Sequence, residues 1–143
     1  VTGPLKLRAV DADDLAVISS VLQDAVVPIG EVDFLADEAR FVLVASRFRW
    51  EREGDPTADD VAERINCGVV FDTVRAARIR GIDLADRSQV LELLAVEAGE
   101  GCVTLIFSGG GAVRLEVDRL LCHLQDIGEP WPTPWRPAHP LDG

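Results

Sequence analysis

The sequence has no methionine, only three cysteines, and no apolar run approaching the roughly 20 residues that a membrane-spanning helix needs. Each shortage excludes something. Cys67, Cys102 and Cys122 are widely spaced and odd in number, and no CxxC pair is present. That pattern offers neither a zinc knuckle nor a disulfide framework, and it suits three buried thiols in a reducing, cytoplasmic setting. The opening stretch, VTGPLKLRAV, lacks a basic region followed by an apolar one, so no signal peptide is expected there. Basic side chains are also short, 14 against 25 acidic ones, for a net charge of −11. The long-range field of such a chain repels nucleic acid and anionic lipid, so neither is an expected partner.

Apolar residues are in good supply, at 48% of 143. One domain of this length buries roughly two-thirds of its unfolded surface, enough for a core without metal or disulfide staples. No internal repeat is visible.

Acidic residues at Asp11, Asp13 and Asp14 stand where a helix N-terminus is electropositive, and Leu15, Ile18 and Leu22 follow at helical spacing. This predicts a helix from about Asp11 to Ala25, with Pro28 beyond it. From Val26 the period changes to two. Val32 and Phe34 alternate with acidic residues, and Phe41 to Trp50 reads as a long strand, so the two make a hairpin. Glu51 to Glu63 is polar and reads as a long exposed loop, in which Thr57 could cap a single helical turn. Cys67 to Phe71 reads as a strand, and Val74 to Ile82 follows neither period cleanly, its β-branched residues and the break at Gly81 favouring strand over a short helix. Val90 to Ala98 is ambiguous, since its Leu, Glu and Ala are helix formers, yet it precedes a Gly99-Glu100-Gly101 turn and the strand at Cys102, which favours a hairpin. Glycines 109 to 111 then reverse the chain between Cys102–Phe107 and Ala112–Val117.

Asp118 stands at an N-cap position, and Leu120, Leu121, Leu124 and Ile127 form one helical stripe before Gly128 and Pro130. The expectation is therefore an α+β fold, mainly antiparallel β. It has about seven strands, starting near Val26, Arg40, Asn66, Val74, Val90, Cys102 and Ala112. An N-terminal helix and a C-terminal amphipathic helix complete it. Residues 1–128 form the domain. Residues 129–143 hold five of the eight prolines and two of the three tryptophans, and form an extended tail that is either disordered or laid across the domain.

Few residues suggest chemistry. The Ser108-Gly-Gly-Gly-Ala run lacks the lysine and the helix start of a phosphate loop, and reads as a hairpin turn. His123 and His139 have no ligand-spaced partners, and neither Ser19-Ser20 nor Ser108 stands in a nucleophile elbow. No catalytic residue, metal or cofactor is expected. The arginines stand out in so acidic a chain. Arg47 and Arg49 end one predicted strand and Arg75, Arg78 and Arg80 lie on another, so the five could build an anion pocket if the strands are neighbours. The plainer reading pairs them with nearby carboxylates across a wet sheet face. Trp131 and Trp135 offer large contact area on a stiff proline segment, and dock either on this domain or on a second protein.

The order of strands with a closing helix resembles the pleckstrin-homology-like barrel. In sequence, the stretches LKLRAVDADDLAVISSVLQDAVVPIG, RFRWE, RGID and GEPWPTPWRPAHP resemble a small family of uncharacterised bacterial proteins, a domain of unknown function. That resemblance implies no activity and no catalytic residue. Two functions remain open. One is a non-catalytic protein-binding or scaffolding domain that self-associates or holds another protein, through the Pro/Trp tail or the arginine-bearing sheet face. The other is a small-molecule enzyme or sensor with an arginine-lined anion pocket.

Overall fold

The computed structural model describes residues 4–53, 61–135 and 137. The expected helical turn at Thr57 lies outside these residues. Among these residues the chain forms ten strands and one α-helix. In order they are β1 (Lys6–Ala9), α1 (Ala12–Val21), β2 (Ala25–Pro28), β3 (Val32–Leu35), β4 (Arg40–Phe48), β5 (Glu63–Phe71), β6 (Val74–Arg80), β7 (Val90–Gly99), β8 (Cys102–Phe107), β9 (Ala112–Val117) and β10 (Cys122–Pro132). All ten belong to one open antiparallel sheet, ordered β1-β10-β5-β4-β2-β7-β8-β9-β6, with β3 paired to β4. The two ends of that order, β1 and β6, are not paired with each other.

Alternation explains the strands. Phe41, Leu43 and Ala45 of β4 face inward, opposite Phe71, Val69 and Cys67 of β5. Val103, Leu105 and Phe107 of β8 do the same beside Val113, Leu115 and Val117 of β9. These residues join Leu15, Ile18 and Leu22 of α1 in one core cluster. The helix starts where its cap predicts, because the Asp11 side chain accepts a hydrogen bond from the Asp14 backbone N at 2.8 Å. It ends earlier than Ala25. Asp24 takes a left-handed φ of 62°, and Ala25 already pairs with Leu93 of β7. α1 lies against β1 and β7, where Ser19 Oγ accepts a hydrogen bond from the Val96 N–H at 2.9 Å.

One expectation is overturned outright. The stretch from Asp118 to Gly128 is not a helix. β10 takes up the stretch from Cys122 and continues through residues 129–132, sitting between β1 and β5. The physical reason is that Cys122, Leu124 and Asp126 point inward while His123, Gln125 and Ile127 point out. Leu124 belongs to both the helical and the strand pattern, whereas Ile127, taken for the inner face of a helix, is 49% exposed. Gly128, at φ +73°, marks an irregularity in β10 between Ile127 and Trp131 rather than a helix C-terminus. The seven-strand barrel closed by a C-terminal helix thus gives way to an open ten-strand sheet. The other predicted strands, including Val74–Ile82 and Val90–Ala98, are strands, with β6 ending at Arg80.

Candidate functional site

The five arginines singled out by sequence fall into two groups. Arg47 takes the inward position that follows Phe41, Leu43 and Ala45 on β4, and it is fully buried. Its guanidinium donates from Nε and Nη2 to Asp126 (2.8 and 2.7 Å) and from Nη1 and Nη2 to Glu51 (2.9 and 2.8 Å). Its Nη1 also reaches the Phe48 carbonyl at 3.2 Å, and the Leu5 backbone N donates to Asp126 Oδ2 at 2.7 Å. Burial alone would lower the Arg47 pKa, but its hydrogen bonds to Asp126 and Glu51 outweigh that and raise it. Burial likewise pushes Glu51 up, and Arg47 more than reverses this, holding Glu51 below the ordinary carboxylate range. Arg49 pairs with Glu63 and Glu51. Both guanidiniums are therefore engaged inside the protein, so the five-arginine pocket does not form.

The second group lies on β6 and its neighbours. Strand register places Arg78 directly opposite Arg114 of β9, and Arg114 opposite Thr104 of β8. Arg80 is two residues from Arg78, on the same outward face. Arg78, Arg80, Arg114 and Thr104, with Ile79 and Ala112, line a cavity of about 310 Å³. Arg78 Nε donates to Glu116 Oε1 at 3.1 Å, an exposed pair that holds the Glu116 carboxyl below its usual range. Among the described residues, Arg80 and Arg114 form no ion pair. Arg75 stands apart from the cavity and pairs with Asp118 at 3.0 Å. Two like charges directly across a ladder destabilise a sheet, and Glu116 offsets part of that repulsion, its carboxyl being lowered by Arg78 first and by Arg114 and Arg75 as well. Sequence reading missed Arg114, because it alternates with Val113 and Leu115 as any outward residue of a strand would.

Trp131 and Trp135 belong to a third cluster. Trp131 is a β10 residue opposite Arg64 of β5, which in turn faces Phe48 of β4. Arg64 donates from Nε to Ser46 Oγ (3.0 Å) and from Nη2 to the Ser46 and Asp24 carbonyls (2.9 and 3.2 Å), and burial lowers its pKa. The exposed ring of Trp135 lies 6.0 Å from its guanidinium carbon, a cation–π contact. Nearby, Glu92 is raised by its hydrogen bond to Asp24 and by burial. The segment after β10 is tied down where Thr133 N donates to the Ala62 carbonyl at 2.8 Å.

A cleft of about 460 Å³ also runs between α1 and β7, lined by Ser19, Gln23, Leu94, Val96 and Glu97 among others. Glu97 is its one charged lining residue, and Ser19 already engages the Val96 N–H. Among the described residues no cluster of histidine, cysteine and carboxylate suits a metal ion. No helix among them is long and apolar enough to cross a membrane.

Residues 5–139 match a family described as "Protein of unknown function (DUF2948)". The chain belongs to that family. No curated protein matches it, and no solved structure does. The family description carries no chemistry of its own, so any functional reading rests on the arginine cavity and on the strand that borders it.

Proposed function

We propose that this chain is a non-catalytic binding domain that holds an anionic group on the outer face of β8, β9 and β6. Arg78, Arg80 and Arg114 supply the charge and Thr104 a neutral donor. The observation that carries the reading is the direct opposition of Arg78 and Arg114, with Arg80 one row away, around a concave surface in a chain of net charge −11. Guanidinium groups grip carboxylate or phosphate oxygens through paired hydrogen bonds, and an anion between them would relieve their mutual repulsion. The Arg78–Glu116 pair is exposed and so exchanges readily for a better acceptor. The cavity lining offers no nucleophile beyond Thr104 and no general base, which supports binding over catalysis.

The test is thermal unfolding in the presence of pyrophosphate, citrate and a panel of phosphorylated and carboxylated metabolites. A ligand at 100 times its Kd stabilises by about 2.7 kcal/mol. The stabilisation should fade with added salt and vanish in the triple variant Arg78→Ala, Arg80→Ala, Arg114→Ala. An unchanged melting temperature across the whole panel would remove the reading.

A second reading, self-association, draws on the outer face of β4, β5 and β10. Val42 and Val70 pair there beside Val44, and the Ile127 side chain reaches over Gly68, whose added Cβ would lie 3.3 Å from Ile127 Cδ1. Sedimentation of Ile127→Lys against the unaltered chain tests it, the expected outcome being a loss of dimer.

A further inference from the structure

We infer that the occupant of the arginine face is an extended acidic segment of another polypeptide, added as a further strand along the free edge of β6. The inference rests on the anion-binding reading and names its partner. β6 closes the sheet order, with β9 on one side and, among the described residues, no strand on the other. On such an edge alternate residues aim both their N–H and C=O groups outward, a template for pairing with another backbone. The first residue of the edge is already used, since Val74 N donates to the Ala39 carbonyl at 2.8 Å, and the register breaks between Val74 and Ala76. Residues 76–80 remain.

Charge identifies the guest. β6 reads VRAARIR, with three arginines and no acid. Edge strands often carry cations simply to discourage aggregation, and β1 at the other end of the sheet shows that pattern with Lys6 and Arg8. Edge protection does not account for Arg114, which lies one strand further in, directly across from Arg78. A nucleic-acid backbone fits poorly. The carbonyl groups along the edge would face its phosphates, and the net charge of −11 repels it. A peptide backbone matches donor for acceptor.

Spacing sharpens the match. Residues two apart on a guest strand project from one face roughly 7 Å apart. Acidic side chains at alternate positions would therefore stand opposite Arg78 and Arg80, within reach of Arg114. The intervening positions would lie beside Ile79, which is 37% exposed and pairs across the ladder with Val113. The preferred segment alternates acidic with β-branched apolar residues.

The experiment titrates the full chain into a fluorescent peptide of alternating glutamate and valine, read by anisotropy. Parallel titrations use the same peptide N-methylated at alternate backbone nitrogens, pyrophosphate, and single-stranded oligo(dT). The expected result is saturable binding of the unmodified peptide, weakened at least about tenfold by N-methylation. Amide exchange at residues 76–80 should slow in the complex, and Arg78→Ala with Arg80→Ala should abolish binding. Equal affinity for the methylated peptide, with pyrophosphate still stabilising the protein, would overturn strand addition and leave the anion site standing. Silence from both peptides and pyrophosphate would overturn both readings. Oligo(dT) binding as tightly as the peptide would overturn the assignment to a polypeptide.

Discussion

Arg47 Nη2 lies 2.7 Å from Asp126 Oδ2, joining two inward positions separated by 79 residues of sequence. Both side chains are essentially removed from water, at 0% and 1% exposure. Removing Asp126 takes two hydrogen bonds from the buried guanidinium, including the one at Nε, and leaves Glu51 alone to offset its charge. Asp126→Ala should lower stability by about 3–5 kcal/mol in urea unfolding. The double variant Arg47→Met, Asp126→Leu should lose much less, because no buried guanidinium is left short of acceptors and Glu51 keeps Arg49 as a partner. Equal losses in the single and double variants would show that shape rather than charge is what this site contributes.

Glu51 gives the network an acid limit. Its carboxyl titrates lower in the folded chain than the ordinary 4.5, chiefly because Arg47 outweighs the effect of burial. A depressed folded value means that its contribution is present above the unfolded pKa and is lost as pH falls through the folded one. Urea midpoints should therefore hold from pH 7 to about 5 and fall below about pH 4.5. Glu51→Gln should be less stable at pH 7 and show a shallower decline in acid.

The cysteines predict a chemical pattern. Cys67 and Cys122 are buried on the inner faces of β5 and β10, and desolvation pushes each thiol up to about 12. The thiolate is the reactive form, so neither should react with iodoacetamide at pH 8 while the chain is folded. Cys102 is half-buried on β8. Intact-mass measurement should show at most one alkylation in the native protein and three in urea. A second native adduct would mean that the sheet opens locally at β5 or β10.

Two glycines separate backbone strain from crowding. Gly81 and Gly101 both hold positive φ, 71° and 66°. A Cβ at Gly101 would meet nothing within 4 Å, while one at Gly81 would lie 2.8 Å from the Gly110 carbonyl oxygen. Gly101→Ala should cost about 1–2 kcal/mol, the left-handed penalty alone. Gly81→Ala should cost distinctly more, and it should also weaken anion binding, because Gly81 directly follows Arg80.

What the sequence disclosed was local. The cap at Asp11, the alternation in Phe41–Ala45 and the glycine turn before Ala112 each depend on neighbours within a few residues, and each produced its element. Residues 118–128 failed for a definable reason. Leu124 fits both periods, and the strand pattern of Cys122, Leu124 and Asp126 is visible only if an aspartate is accepted inside. Its warrant is Arg47, which only the fold brings near. The same distance effect hid the arginine face. Arg78 and Arg80 were visible on one strand, but their neighbour Arg114 became apparent only when the β6–β9 register was known. Arg47 and Arg49 resembled them in sequence and belong instead to the interior, because an inward row on β4 continues through Arg47.

β10, the tenth strand in chain order, is wedged between β1, the first, and β5. Until it arrives, β1 has no backbone partner and Arg47 lacks Asp126. An emerging chain must therefore hold a half-built sheet open while some fifty residues beyond β5 are made, a topology associated with slow folding and exposed edges. β10 would then join the sheet by insertion between two strands already made rather than by docking on an edge.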